Sequence, residues 1–343
     1  MEETKIYRPI LKKSWDIIWH FKSLWFLGFF AALISSGGEF ELLSKIIFDT
    51  NGDKNFIREA INGFKDGLQN TLPDSGNILA NLWALTTSAP INIISTILIL
   101  LVAIIITAFI VWLTTVSQIG LIRNVNLATQ NKPATINEGI DAGVENFWPI
   151  LVINLIYKTI LLIIFVLLGK EIILLVALGY AGTVIHIVSL VLLSIITIII
   201  SFLVRYQILY IIIKKEKIIT ALKSAGRLFV NNWLLSLEMA FILFIVYVAV
   251  LYISTFITAV LLAVPLVFTT YSSQIPVAVL IGLIMTAALA IIIYTILVTA
   301  LMSVFQWSAW ILLFNQMNTG KTLSKIVKLS EQSPNISNLF RKK

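Results

Sequence analysis

Long apolar runs separated by short polar segments dominate the chain. The hydrocarbon core of a membrane is about 30 Å thick and needs about 20 apolar residues per crossing helix. The runs predict six such helices, over about residues 15–36, 90–119, 148–168, 183–213, 233–265 and 277–314. The pattern therefore predicts an all-α, polytopic integral membrane bundle.

The apolar run that ends at Lys214 is the hardest to divide. After a polar interruption at residues 169–171 it is too long for one perpendicular helix and barely long enough for two. We interpret it as one span over residues 183–213. A second span would place the basic cluster at residues 214–217 outside the cell, which charge rules disfavour.

Composition and charge agree with a membrane protein and set its orientation. Apolar residues make up 59% of the chain and charged residues 12%, with a mean hydropathy of +0.96. With six spans, most of the 25 lysines and arginines fall on the side of the N-terminus, and cations in short loops stay inside. Both termini are therefore expected in the cytoplasm, at a prokaryotic plasma membrane. The first span lacks a small-residue cleavage site, which indicates an uncleaved anchor.

A loop over residues 37–89 is the largest polar stretch and is more acidic than basic. It is expected to face outward. Within it, apolar residues recur at helical spacing over residues 56–68, and Asn55 could cap this short amphipathic helix. The helix is expected to lie on the outer leaflet or to cap the bundle, and the alternative is a docking site for a membrane or extracytoplasmic protein.

Three tryptophans mark an internal repeat. Trp25, Trp148 and Trp233 each stand at the start of a predicted outward span, and an amphipathic segment precedes each of them. Each repeat is thus expected to be a cytoplasmic interfacial helix, an outward span and a return span. The predicted divisions are residues 1–134, 135–217 and 218–317, followed by a basic cytoplasmic tail over residues 318–343.

The repeat indicates contact with lipid. Indole suits the headgroup region, because it has an apolar body and a polar N–H. Cations on the same segments are expected to meet anionic lipid of the inner leaflet. All three repeats point the same way, whereas many transporters use inverted repeats, so the arrangement argues against alternating access. No nucleic-acid partner is expected, since the net charge of +8 is explained by topology.

The stretch over residues 205–237 carries a family resemblance. It contains Ser224, Leu228, Asn232 and Trp233 at the start of a predicted helix. In this it resembles the membrane domain attached to some glycerophosphodiester phosphodiesterases, and its stand-alone prokaryotic relatives. The resemblance implies a multi-helix membrane module without a defined biochemical role. It does not carry over the catalytic activity, because the chain has no room for the phosphodiesterase barrel.

Four polar residues inside the predicted spans are candidate site residues, since ionisable groups in a membrane are costly. Arg205 and Glu238 are expected at similar depths on neighbouring antiparallel helices, and we predict that they form a structural ion pair, with a substrate or proton site as the alternative. Lys158 is expected near the middle of its span, with Asn154 one turn earlier. Lys158 could pair with Glu238, bond a carbonyl group or line a hydrated cavity. His186 is interpreted as an interfacial hydrogen-bonding residue.

Motifs for catalysis and cofactor binding are absent from the sequence. It has no Cys and two His, and it lacks the zinc-protease, nucleophile-elbow, phosphate-loop and dinucleotide-binding patterns. No enzyme activity, metal or cofactor is expected. The favoured function is a non-enzymatic membrane module that organises lipid or partner proteins. The alternative is a transporter of a small solute or lipid through a polar cavity between the hairpins.

Overall fold

The computed structural model describes residues 7–34, 90–271 and 277–319, and every regular element in these ranges is an α-helix. Their bounds are α1 Tyr7–His20, α2 Ser23–Ile34, α3 Pro90–Thr129, α4 Ile136–Glu145, α5 Phe147–Lys214, α6 Ile218–Tyr271 and α7 Val277–Asn318. The outer loop with its predicted amphipathic helix, and the basic tail beyond residue 319, lie outside the described residues.

Five segments of these helices are long and apolar enough to cross a membrane. They are Leu101–Thr129, Phe147–Ile164, Ile187–Lys214, Ile218–Ala263 and Ile281–Asn318. A shorter apolar segment, Ser23–Ala32, lies in α2. The described part of the chain is therefore all-helical with membrane-spanning character, as predicted. The first of the six predicted spans stays a prediction, because helix α2, which contains its apolar part, is described over only 12 residues.

The first predicted span starts too early. The chain breaks at Phe21 and Lys22, so residues 15–20 belong to the amphipathic helix α1 and not to the apolar helix α2. The apolar residues Trp15 and Ile17 gave the end of α1 the composition of a span. In the structure, Ile17 is buried against the protein and Trp15 is exposed on the other side of the helix.

Two helices continue beyond their predicted ends. Helix α3 runs ten residues past Ile119, because the polar side chains that follow, such as Asn124 and Asn126, are buried inside the protein and hydrogen-bonded there. Helix α6 continues through Pro265 to Tyr271. A proline removes one backbone hydrogen bond but does not have to end a helix in a membrane.

Helix α5 contains the predicted third and fourth spans. Helical backbone is assigned over all 68 residues, including the interruption that the sequence predicts at residues 169–171. A straight helix of this length would separate its ends by about 100 Å. The flanking residues Glu145 and Lys215 nevertheless come within 3.8 Å of each other. The chain therefore reverses direction within α5, and its two apolar segments run in opposite directions.

The chain forms two compact units. The first comprises Met1–Phe40, Thr114–Leu161 and Ser194–Lys343, and the second comprises Glu41–Leu113 and Leu162–Leu193. The buried hydrophobic core belongs to the first unit, where it includes Leu24, Ile122, Tyr206 and Trp310. All contacts described below also lie in the first unit.

Glycines allow close packing at two places in this unit. A Cβ atom at Gly120 would lie 2.8 Å from the carbonyl oxygen of Gly139, so α3 and α4 approach each other at backbone distance. A Cβ atom at Gly28 would lie 2.8 Å from the carbonyl oxygen of Ala300, which brings α2 equally close to α7. Small residues at such crossings let membrane helices gain van der Waals contact.

Candidate functional site

A local break precedes each of the three marker tryptophans. The backbone of Asn146 leaves the helical region (φ −107°, ψ 15°) between α4 and α5, two residues before Trp148. Asn232 does the same inside α6 (φ −133°, ψ 28°), directly before Trp233. The break at residues 21–22 stands a few residues before Trp25. Each interfacial segment can therefore take a direction different from that of the span after it.

The apolar side of α4 points away from the protein. Its small residues Gly139 and Gly143 are buried against α3, whereas Ile140 and Val144 are exposed. Trp148, at the start of α5, is 71% exposed. An apolar face turned outward beside a tryptophan is what an interfacial helix presents to lipid.

The first part of α6 repeats this arrangement. Ala221 and Ala225 are fully buried, and Ile219 on the opposite side is 71% exposed. Leu222 and Trp233 are exposed as well. Small residues again face the protein and large apolar residues face outward.

Helix α1 differs from the other two segments. Trp25 is half-buried, and its Nε1 atom donates a hydrogen bond to the carbonyl oxygen of Ile18 at 2.9 Å. Trp15 and Trp19 take the exposed positions instead. The rings of Trp19 and Trp25 meet edge to face with centroids 5.7 Å apart, and those of Trp15 and Trp19 at 5.8 Å. The repeat pattern did not include these two tryptophans, although their spacing of four residues places them on one helix face.

Tyr7 connects α1 to α6. Its hydroxyl group donates a hydrogen bond to the Oε2 atom of Glu238. Burial raises the pKa of Tyr7 above its ordinary value of 10.0, and the hydrogen bond to the Glu238 carboxylate and its negative charge raise it further. The phenol therefore stays protonated and keeps its role as a donor at every physiological pH.

Arg205 lies over the ring of Trp310. Its Cζ atom is 4.5 Å from the centroid of the indole, which is a cation–π geometry. Trp310 also packs against Phe202 and Tyr206, which lie on the same helix as Arg205. The ion pair between Arg205 and Glu238 stays a prediction. The contacts above give each of these residues a neighbour that the sequence did not indicate.

The break in α6 is tied to α5 by hydroxyl groups. The oxygens of Tyr206 and Ser236 lie 2.6 Å apart, and Ser236 donates a hydrogen bond to the carbonyl oxygen of Asn232 at 3.0 Å. Tyr206 and Ser236 are fully buried. A short buried chain of hydrogen bonds thus reaches the residue at which α6 bends.

Asn154 and Lys158 have different surroundings although they share a helix face. Asn154 is buried, and its Nδ2 atom donates a hydrogen bond to Oε1 of Gln118 on α3 at 2.8 Å. Lys158 is exposed on the side of α5. The side chain of His186 lies outside the described part of the chain.

An open cavity lies where α3, α4 and the link between α5 and α6 meet. Its volume is about 400 Å³. Three cations and three anions line it, namely Arg123, Lys132, Lys215, Glu138, Asp141 and Glu145. The apolar residues Leu127, Pro133 and Ile212 complete the wall. A site of this size with both signs of charge could hold a small zwitterionic group.

No group of three or more His, Asp or Glu side chains that could hold a metal ion occurs among the described residues. Comparison with known proteins found no matching family model, no matching curated protein and no matching solved structure. The function is therefore argued from the geometry of this chain alone.

Proposed function

We propose that the protein is a non-enzymatic membrane module whose interfacial helices organise lipid at the cytoplasmic side of a prokaryotic plasma membrane. The observation that carries this proposal is the outward apolar face before the spans, with exposed Trp148 and Trp233. In water such faces would be costly to expose. In the headgroup region, the acyl chains cover them and the indole N–H groups remain hydrated.

The charges on the same segments support binding to anionic lipid. Lys12 and Lys13 are exposed on α1, and Lys223 and Arg227 are exposed on α6. A cation near an anionic membrane surface contributes about 1 kcal/mol. Apolar insertion and charge attraction therefore act on the same helices, which favours a lipid-binding role over a purely structural one.

Threefold repetition is part of the same proposal. The breaks before Trp148 and Trp233 support it, because both use an asparagine with similar backbone angles at the junction of an amphipathic segment and a span. The likeness to the membrane domain of glycerophosphodiester phosphodiesterases also belongs to the proposal, and so does the placement of both termini in the cytoplasm.

Retention of lipid by the purified protein tests the proposal. The Trp148→Ala/Trp233→Ala double variant is expected to keep its helical circular dichroism and to retain fewer phosphatidylglycerol molecules in native mass spectrometry. Phe256→Ala provides a matched control, since Phe256 is an equally exposed aromatic residue far from the interfacial segments. If both variants lose the same number of lipids, the tryptophans are not interfacial anchors.

A second candidate function is transport of a small solute or lipid between the hairpins. The observation that favours it is the polar interior, where Gln118, Asn154 and Ser236 are buried and hydrogen-bonded between helices. Proteoliposomes tested against a panel of small organic anions would show substrate-dependent currents. Transport predicts that Lys158→Leu abolishes these currents in a folded protein, and an unchanged current would remove Lys158 from the pathway.

A further inference from the structure

We infer that the cavity between α3, α4 and the α5–α6 link binds the headgroup of a zwitterionic phospholipid that carries a primary ammonium group and a phosphate. This inference rests on the proposed function and names the lipid that one site would select. It follows from how helix α4 divides its faces, from the charges around the cavity, and from the apolar surface beside it.

Helix α4 has three faces with separate roles. Gly139 and Gly143 face α3, and Ile140 and Val144 face outward. The remaining face carries Glu138, Asp141 and Glu145, which all line the cavity. The close contact of Gly139 with Gly120 holds this acidic face beside Arg123 of α3.

Four of the six charged side chains around the cavity are not in an ion pair with one another, and all six belong to the described residues. Lys215 Nζ lies 3.8 Å from Glu145 Oε1, and this is the one ion pair across the cavity among the residues that the structure describes. Glu138 belongs to the N-terminal cap of α4, where its carboxylate accepts a hydrogen bond from the backbone N–H of Thr135. Arg123 and Lys132 therefore remain for a bound phosphate, and Asp141 remains for a bound ammonium group.

The positive and negative side chains around the cavity together determine which class of ligand fits. Glu145 is paired with Lys215, and Glu138 is used in the helix cap. A group with only negative charge would therefore leave Asp141 unmatched, and a lone cation would meet Arg123 and Lys132. A primary ammonium group joined to a phosphate satisfies both sets at once, and charge-assisted hydrogen bonds are the stronger ones. The volume of about 400 Å³ falls within the usual range for small-molecule sites.

The surroundings favour a lipid over a soluble compound. Asn146 lines the cavity, and Trp148 is two residues further along the chain with an exposed indole. Ile140 and Val144 are exposed on the neighbouring face of α4. An acyl chain attached to the headgroup would meet this apolar surface, whereas a free headgroup would gain nothing from it.

Competitive lipid binding to the full chain in detergent micelles tests the inference. By native mass spectrometry, phosphatidylethanolamine is expected to bind about tenfold more tightly than phosphatidylglycerol, which lacks the ammonium group. It should also bind more tightly than phosphatidylcholine, whose quaternary ammonium donates no hydrogen bond. Equal affinity for the three lipids would overturn the inference.

Variants of exposed residues locate the site without threatening the fold. Asp141→Asn should remove the preference for phosphatidylethanolamine over phosphatidylglycerol. Lys132→Gln should lower the affinity for both lipids several-fold, which corresponds to the loss of about one charge-assisted hydrogen bond. Lys22→Gln is the matched control, because Lys22 is an exposed cation at the break between α1 and α2 and does not line the cavity. An equal loss of affinity in Lys22→Gln would contradict a defined site.

Two further outcomes separate the inference from the proposed function. If total lipid retention depends on Trp148 and Trp233 but no headgroup is preferred, the headgroup site is wrong and the lipid-organising function stands. If glycerophosphoethanolamine displaces phosphatidylethanolamine at equal concentration, the acyl chains add no affinity, and the assignment to a lipid is overturned.

Discussion

The phenol of Tyr7 donates a hydrogen bond to the carboxylate of Glu238, across 231 positions of sequence. This contact joins the amphipathic helix α1 to the apolar helix α6. Glu238 lies five residues after Trp233, close to where α6 enters its apolar segment. A charged group at that depth is costly, and the donor from α1 supplies part of the compensation.

Alkaline pH should weaken this connection. Because the pKa of Tyr7 is raised in the folded protein, the unfolded chain releases the phenolic proton first as the pH rises past about 10. The contribution of Tyr7 to stability is therefore fully present below pH 10 and is lost above it. The melting temperature in detergent should fall less between about pH 8 and 11 for Tyr7→Phe than for the parent protein. An identical decline in Tyr7→Phe and the parent would contradict this contribution of the Tyr7 phenol.

The packing of α4 on α3 should depend on Gly120. A methyl group there would lie 2.8 Å from the backbone oxygen of Gly139, which cannot move away without displacing α4. We expect Gly120→Ala to lower the free energy of unfolding by about 1–3 kcal/mol. Gly226→Ala is the control, since nothing lies within 4 Å of a Cβ atom at that position, and it should leave stability unchanged or raise it. Equal melting temperatures for the two variants would show that the α3–α4 contact is not tight.

The hydrogen bond between Gln118 and Asn154 should show strong coupling. Asn154→Leu leaves the buried Gln118 amide without its partner at 2.8 Å, at a cost of about 1–3 kcal/mol. Replacing both residues by leucine should recover most of this loss, because neither site then buries an unsatisfied polar group. Chemical unfolding of the two single variants and the double variant gives the coupling energy. Simple additivity would contradict the contact.

The stacking of Arg205 on Trp310 can be measured in the same way. A cycle of Arg205→Met and Trp310→Phe should give a coupling energy of about 1 kcal/mol, since the guanidinium lies 4.5 Å from the ring centroid in a largely buried setting. Arg205→Lys should keep the charge and lose much of this energy, because the planar guanidinium stacks on the ring and an ammonium does not. Full stability in Arg205→Lys would indicate that only the charge matters.

The sequence predicted the apolar helices well and their junctions only in part. Trp233, which the sequence predicts at the start of a span, directly follows the kink at Asn232, although the apolar segment of α6 already begins at Ile218. The start of the first span was misplaced, since Trp15 and Ile17 have the composition of membrane residues while lying on opposite sides of an amphipathic helix. Hydropathy is averaged over a window of residues, so it does not distinguish the two sides of a helix.

Contacts between helices that are distant along the chain could not be predicted from the sequence. Arg205 and Glu238 were recognised as costly residues in spans, but their neighbours Trp310 and Tyr7 carry no periodic signal that marks them as partners. The face of α4 is an intermediate case. Gly139 and Gly143 form a G-x-x-x-G pattern, which could have predicted that the small residues, and not the large apolar ones, pack against the neighbouring helix.

The break at Asn232 has a consequence for how the protein meets bilayers of different thickness. A rigid helix that is longer than the membrane must tilt as a whole or deform the lipid around it. In α6, the segment before Asn232 and the span after it meet at a kink, so they are two helices and not one rigid rod. Ala221 and Ala225 anchor the first segment in the protein, so the length that must match the membrane is that of the span after Asn232 and not that of all 54 residues of α6.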